Sequence, residues 1–214
     1  MPDLQFHIEG ASAVANAASP MIAFSVRITN SEPDDVQSLA LRTQVQLEPV
    51  RRRYSAEEQQ RLKDLFGEPE RWSQSLKPLL WANISTNVTG FTGNTLVGIL
   101  VPCTFDFNVA MTKYAYGLTD GELPTSLLFS GTIFYAGRVG LQIAQIPWDR
   151  EDSFRLSLRV WREMMDLYYP GAGWITVRRD LFDRLNDYKS RYGLTTWDQV
   201  IERMLGSVAA GAKS

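Results

Sequence analysis

Apolar residues occupy every second position in several parts of the chain. The alternation is clearest in four segments: residues 4–8, 22–28, 39–47 and 104–111. Because successive side chains of a strand point to opposite faces of a sheet, each segment predicts a strand with one buried face. Three further segments are richer in apolar residues and are interpreted as two buried strands and a closing strand: 96–101, 127–135 and 141–146. Two antiparallel sheets packed face to face bury these seven or eight strands most simply.

Helical signals lie between and after the strands. The sequence Ser55-Ala-Glu-Glu58 is a capping box, so a helix should start there, run to about Phe66 and end at Gly67. Residues 154–160 alternate like a strand and lead into a segment with apolar residues at helical spacing. The fold class predicted is α+β: an immunoglobulin-like antiparallel β-sandwich at 1–150, with a helical excursion at about 55–76. A mostly helical segment, 151–214, packs on it as one structural unit.

The composition narrows the class of protein. The 214 residues include 22 Lys and Arg against 24 Asp and Glu, for a net charge of −2, which favours neither nucleic acid nor an anionic membrane as partner. A single cysteine excludes an internal disulfide framework. No segment has the roughly 20 continuous apolar residues of a spanning helix, and no secretory signal is recognisable. We therefore expect a cytoplasmic protein without membrane insertion, whose oligomeric state the sequence leaves open.

Charge is unevenly distributed along the chain. Residues 83–147 contain only two basic and three acidic side chains. A segment so poor in charge cannot easily coat a surface, so it is predicted to form the interior of the protein.

Residues able to carry catalysis are scarce. His7 lies on the polar face of the first predicted strand, and Cys103 is read as a buried small hydrophobe. One imidazole and one thiol cannot form a zinc, nickel or iron–sulfur site, and no phosphate-binding glycine loop or flavin motif is present. The sequence predicts no catalytic residues, no metal site and no cofactor.

The basic run Arg51-Arg52-Arg53-Tyr54 is the sharpest local anomaly. On a loop between a strand and a helix, it could bind phosphate, nucleic acid or an acidic partner surface. Alternatively, Glu57, Glu58 and Asp64 on the adjacent helix neutralise it. Tryptophans in or beside loops are common in interfaces. The candidate partner-binding residues are therefore Arg51, Arg52, Arg53, Tyr54, Trp72, Trp81 and Trp148.

Several stretches resemble one known family in their order and spacing. They include RRRYSAEEQQRLKDLFGEPERW at 51–72, LKPLLWANISTNVTGFTG at 76–93, IPWDRE at 146–151 and VWREMMDLYYPGAGWITVRRDLFDRL at 160–185. Together they resemble an uncharacterised bacterial family whose members occur near genes for high-affinity nickel–iron hydrogenases. The resemblance implies a link to these enzymes, and it brings no catalytic residues with it.

Three functions are compatible with the sequence. The first is a non-catalytic accessory, scaffold or assembly protein that acts through protein–protein contacts. The resemblance implies a nickel–iron hydrogenase as the enzyme served, with its subunits or accessory proteins as partners. The second is a module that binds a small apolar ligand between the sheets, where Phe105, Phe107, Phe129 and Tyr135 are expected. The third is a hydrolase or transferase that uses carboxylates such as Asp106 or Asp149.

Overall fold

The strands of the computed structural model, which describes residues 1–104, 109–137, 140–173 and 175–211, form two antiparallel sheets. The first sheet has the order β1-β2-β5: β1 (Leu4–Ala13), β2 (Met21–Asn30) and β5 (Asn94–Pro102). The second has the order β4-β3-β6-β7: β4 (Leu79–Phe91), β3 (Val36–Leu47), β6 (Glu122–Gly137) and β7 (Gly140–Gln145). An additional strand of the second sheet, β8 (Glu151–Ser157), also pairs with β6. The predicted α+β class with eight strands in two antiparallel sheets is confirmed.

Aromatic side chains join the two sheets face to face. Phe6 of β1 stacks on Phe129 of β6, with ring centroids 4.3 Å apart. Phe24 of β2 meets the ring edges of Trp81 on β4 and Phe154 on β8, each at 6.0 Å. These ring pairs combine large apolar burial with favourable geometry, so they form the centre of the sandwich.

Strand β6 changes its partner at Gly131. Its first half pairs with β8 and its second half with β7, both on the side opposite β3. Gly131 has a φ of 141°, and a Cβ atom there would lie 2.1 Å from the main-chain oxygen of Ala40. Its own carbonyl accepts a hydrogen bond from the Ile146 N–H at 2.9 Å. Glycine is therefore required at position 131 of β6, which lies opposite the end of β7, where the chain turns towards β8.

The first helical segment begins and ends where the local sequence signals predict. The described helices are α1 (Ala56–Arg61), α2 (Lys63–Phe66), α3 (Trp72–Ser75), α4 (Val109–Gly117), α5 (Leu158–Tyr168), α6 (Arg179–Arg191) and α7 (Trp197–Gly211). The Ser55 hydroxyl accepts from the Glu58 N–H at 3.2 Å, and the Glu58 carboxylate accepts from the Ser55 N–H at 3.0 Å. The predicted capping box is confirmed, and α2 ends at Gly67. No helix of the described ranges has the length and apolar character to cross a bilayer.

The strand predicted at 104–111 is wrong where the structure describes it. Val109 and Met111 lie in α4, and Phe105, Asp106 and Phe107 lie outside the described residues. The buried side chains here are Met111, Tyr114, Ala115 and Leu118. Their spacing is helical, and Val109 and Met111, the described end of the alternation, lie in the first turn of that helix.

The charge-poor segment 83–147 is also only partly interior. Neutral polar side chains cover the exposed face of β4: Asn83, Ser85, Asn87 and Thr89. Strand β5 lies at the edge of its sheet rather than in the centre, and it exposes Leu96 and Leu100. The prediction that this segment forms the interior was wrong, because amide, hydroxyl and single leucine side chains can face solvent without adding charge.

The chain divides into two compact units, Met1–Ala172 and Gly173–Ser214. The sequence placed a boundary at residue 150, whereas the first unit includes β8, which pairs with β6, and α5, which contacts β1. Within the second unit α6 and α7 form a helix pair. Phe182 and Trp197 pack against each other with ring centroids 5.3 Å apart.

Candidate interaction surface

Arg52, in the middle of the basic run, is a structural residue. Only 12% of its side chain is exposed. One terminal nitrogen, Nη2, donates to the Glu58 carboxylate at 2.8 Å and to the Asp120 carbonyl at 2.6 Å. The other, Nη1, donates to the Glu122 carbonyl at 2.7 Å. Arg52 therefore joins α1 to the loop that leads into β6, and we call this set of contacts the Arg52 clamp.

Glu58 is the buried anion of the Arg52 clamp. Burial alone would raise the pKa of this carboxyl, but N–H groups of Ser55 and Thr119 and the guanidinium of Arg52 hold the pKa below its ordinary value. The Thr119 N–H lies 3.0 Å from Glu58 Oε1. The carboxylate thus stays ionised inside the fold, because these N–H groups and the guanidinium outweigh the cost of burying its charge.

Tyr54 and Trp72 belong to a buried aromatic cluster. The Tyr54 hydroxyl donates to the Pro49 carbonyl at 2.7 Å, so the Tyr114 hydroxyl, 2.8 Å away, donates to Tyr54. Burial raises the pKa of both phenols, that of Tyr114 to about 12. The Trp72 ring lies edge-on to Tyr54 at 5.2 Å, and its Nε1 donates to the Gly67 carbonyl. Through Tyr54, this cluster joins the helical excursion to Tyr114 of α4.

Trp81 is likewise interior. It lies on β4, where it packs against Phe24, and it is almost completely buried. The sequence placed Trp72 and Trp81 in or beside loops, whereas Trp72 begins α3, Trp81 lies within β4, and both side chains are buried. Like the half-buried Arg52 and Tyr54, they offer little surface to a partner.

Arg51 and Arg53 remain exposed. Of the carboxylates expected to neutralise the run, only Glu58 pairs with one of its arginines, Arg52. The other two pair with cations outside the run, Glu57 with Arg61 and Asp64 with Lys113. Arg51 Nη1 donates to the Ser153 hydroxyl of β8 at 3.2 Å. Neutralisation by a carboxylate of the adjacent helix is therefore found for Arg52, whereas Arg51 and Arg53 present positive charge at the surface.

Trp148 is the most exposed large aromatic side chain of the described residues, at 94%. It lies in a tight turn between β7 and β8, which we call the Trp148 turn (residues 147–150), closed by a hydrogen bond from the Arg150 N–H to the Pro147 carbonyl at 3.3 Å. Ile146 before the turn is buried. Arg150, the last residue of the turn, donates from Nη2 to Asp3 at 2.7 Å. Both ends of the turn are held, so the backbone that carries the exposed indole is anchored.

The sequence missed the exposure of β7. Segment 141–146 was correctly predicted as a strand, but Leu141 and Ile143 are 68% and 62% exposed. They lie opposite Ala136 and Phe134 of β6, on the outer face of the sheet. The sequence held no clear signal for this exposure, because the two large apolar residues of the strand face outward and the small Ala144 is its buried residue.

The reactive side chains are held in inert environments. Cys103 is completely buried, and its Sγ donates to the Val101 carbonyl at 3.3 Å. Burial raises the pKa of its thiol to about 12. Because the thiolate is the nucleophile, this cysteine is poorly suited to nucleophilic chemistry near neutral pH.

We expect native Cys103 to resist a water-soluble disulfide reagent at pH 8. The reagent should label the thiol at once after denaturation, because unfolding restores an ordinary pKa and removes the barrier to access. Absorbance of the released thiolate measures the reaction. Stoichiometric labelling of the native protein at the rate of the unfolded chain would contradict this placement.

His7 and the candidate carboxylates serve local contacts. Asp152 Oδ2 lies 3.2 Å from His7 Nδ1 and accepts the Ile8 N–H at 2.7 Å. Asp149 is exposed beside Arg150, and Asp106 lies outside the described residues. Within the described part of the chain, no three His, Cys, Asp or Glu side chains form a group that could hold a metal ion.

A cavity of about 250 Å³ lies between α4 and α5, away from the space between the sheets. Its lining includes Leu118, Trp161, Met165 and the charged side chains Arg162 and Asp166. Arg162 is already bound to the Leu118 and Thr119 carbonyls. Between the sheets, the stacked rings of Phe6 and Phe129 occupy the position expected for an apolar ligand.

The fold and surface define an α+β β-sandwich protein that presents one exposed tryptophan on an anchored turn and two exposed arginines. The chain belongs to a family of unknown function (DUF6084), whose model matches residues 1–213. No curated protein matches it significantly.

Proposed function

We propose that the protein is a non-catalytic accessory or assembly factor that binds a protein partner through Trp148, Arg51 and Arg53. The observation that carries this proposal is the Trp148 turn, in which a 94% exposed indole is held between two anchored ends. Tryptophan and arginine dominate the binding energy of many interfaces. Because the backbone of the turn is already anchored, binding also costs little main-chain conformational entropy there.

The partner that fits has an apolar pocket for an indole and acidic groups nearby. Arg51 and Arg53 would contribute mainly to the association rate and to specificity, because exposed charges act through long-range attraction. The resemblance of segments 51–72 and 160–185 to proteins encoded near nickel–iron hydrogenase genes supports a subunit or accessory protein of such an enzyme as this partner. The accessory protein would act through its surface and supply no metal ligand.

We expect Trp148→Ala to weaken partner binding by at least about 30-fold while leaving the thermal unfolding midpoint unchanged, because the indole has few internal contacts. Binding is measured by calorimetry with purified hydrogenase subunits and accessory proteins. Leu80→Ala is the matched control, since Leu80 is 57% exposed on β4. It should bind as the wild type does.

Charge reversal gives an independent measurement. Arg51→Glu with Arg53→Glu should slow association and remove most of its salt dependence, with a smaller change in dissociation. If none of these purified proteins binds the wild type, the hydrogenase partner is wrong. If one binds and Trp148→Ala binds equally well, the Trp148 turn is not the interface.

A further inference from the structure

One side of β7 has no pairing strand among the described residues. The Ile146 N–H bonds to Gly131 on β6. Hydrogen-bonded residues alternate along an antiparallel strand, so Ala144 and Gln142 direct their main-chain groups towards β6. Leu141 and Ile143 therefore direct their N–H and C=O groups away from it, towards the free edge.

The edges at β1 and β8 carry features that discourage pairing, and the uncharged edge strands β4 and β5 contact each other. On β1, Asp152 accepts the Ile8 N–H, and a bulge interrupts the strand between Ile8 and Gly10. Strand β8 carries Glu151 and Arg155. Strand β7, with the sequence GLQIAQ, contains neither a charge nor a proline. A free strand edge without such protection is a ready template for another strand.

We infer that β7 pairs with β7 of a second copy of this chain, antiparallel about a two-fold axis at Gln142, an inference that goes beyond the proposed function. In this register Leu141 lies opposite Ile143 of the second copy, and Ile143 opposite its Leu141. These are the residues with outward main-chain groups, so each pair exchanges two hydrogen bonds. The four apolar side chains meet on one face, beside Phe134 of each copy.

The chemistry of the strand favours a second copy as the occupant. A two-fold axis brings identical surfaces together, and an uncharged strand does so without like-charge repulsion. A register centred on Ile143 would oppose Leu141 to Gln145, whereas the register centred on Gln142 opposes apolar to apolar. The pairing is small beside the roughly 1,600 Å² of a standard stable interface, so the dimer dissociates on dilution.

Sedimentation velocity over a concentration series tests the dimer. We expect the wild type to pass from monomer to dimer as its concentration rises, and Ile143→Lys to weaken association at least tenfold. Ile143 is 62% exposed, so the lysine does not disturb the core. The control is Leu80→Lys on β4, the opposite edge of the same sheet, which should dimerise as the wild type does.

The register is tested by oxidation of Gln142→Cys. At the axis the two Gln142 positions form a non-hydrogen-bonded pair with Cα atoms about 4.5 Å apart, within disulfide range. We expect rapid covalent dimer formation there, slower formation with Leu141→Cys, and none from the buried native Cys103.

Three results would overturn the inference: a wild type that stays monomeric up to its solubility limit, a dimer that Ile143→Lys leaves intact, or faster cross-linking of Leu141→Cys than of Gln142→Cys. None of them affects the proposal for Trp148, whose readout is binding to a different protein.

Discussion

Gly131→Ala is expected to lower the free energy of unfolding by more than about 4 kcal/mol, enough to deprive many domains of a folded state. The added Cβ would lie 2.1 Å from the main-chain oxygen of Ala40, and the φ of 141° is one that alanine rarely adopts. The obstacle is the main chain of β3, so rotation of a side chain cannot relieve it. Urea denaturation followed by circular dichroism measures the loss.

Gly98→Ala is the matched control for this change. Gly98 also lies within a strand, β5, but nothing is within 4 Å of a Cβ placed there. Its effect should stay within about 1 kcal/mol, because only the intrinsic difference between glycine and alanine remains. Equal stability of the two variants would show that the change of strand partner at Gly131 does not depend on glycine.

Arg52→Met is expected to cost about 3–5 kcal/mol of unfolding free energy. Methionine retains much of the apolar stem but leaves the Glu58 carboxylate buried without its cation. It also leaves the Asp120 and Glu122 carbonyls without a donor. Arg61→Met is the control, because Arg61 forms an exposed pair with Glu57 and should cost less than about 1 kcal/mol. A cost for Arg52→Met as small as the control's would show that the Arg52 clamp adds little stability.

The pH dependence of stability gives the Arg52 variant a second readout. The folded pKa of Glu58 lies below its ordinary value of 4.5. The resulting stabilisation is complete above the unfolded pKa and is lost as the pH falls through the folded pKa. Removing Arg52 weakens the depression, so stability should fall less between pH 6 and about pH 3 in Arg52→Met than in Arg61→Met. Parallel curves would contradict this role of Glu58.

Local features of the structure were predictable because short-range patterns determine them. The capping box at Ser55–Glu58, the stop at Gly67 and the strand that leads into α5 were all anticipated from residues within a few positions of one another. Alternation identified β1, β2 and β3 for the same reason. Helix α4 was missed because its first turn matches a strand pattern, and only the spacing from Met111 to Leu118 distinguishes the two.

The candidate surface could be predicted only in part. Arg51, Arg53 and Trp148 were selected by residue type and lie exposed. The same criterion selected Arg52 and Tyr54, which are half-buried, and Trp72 and Trp81, which are buried. Residue type reports what a side chain can bind. It does not report whether a carboxylate or another ring from a distant segment has already bound it.

The sequence by itself determined the α+β class, the strands with alternating faces, the capped helices and the scarcity of imidazole and thiol groups. The tertiary structure alone decided that Arg52 also binds the Asp120 and Glu122 carbonyls, that β7 lies at a sheet edge, and that Trp148 projects from an anchored turn. The physical reason is distance along the chain. Hydrophobic periodicity reflects the local path of the backbone, whereas edge position and charge pairing depend on which remote segments fold against each other.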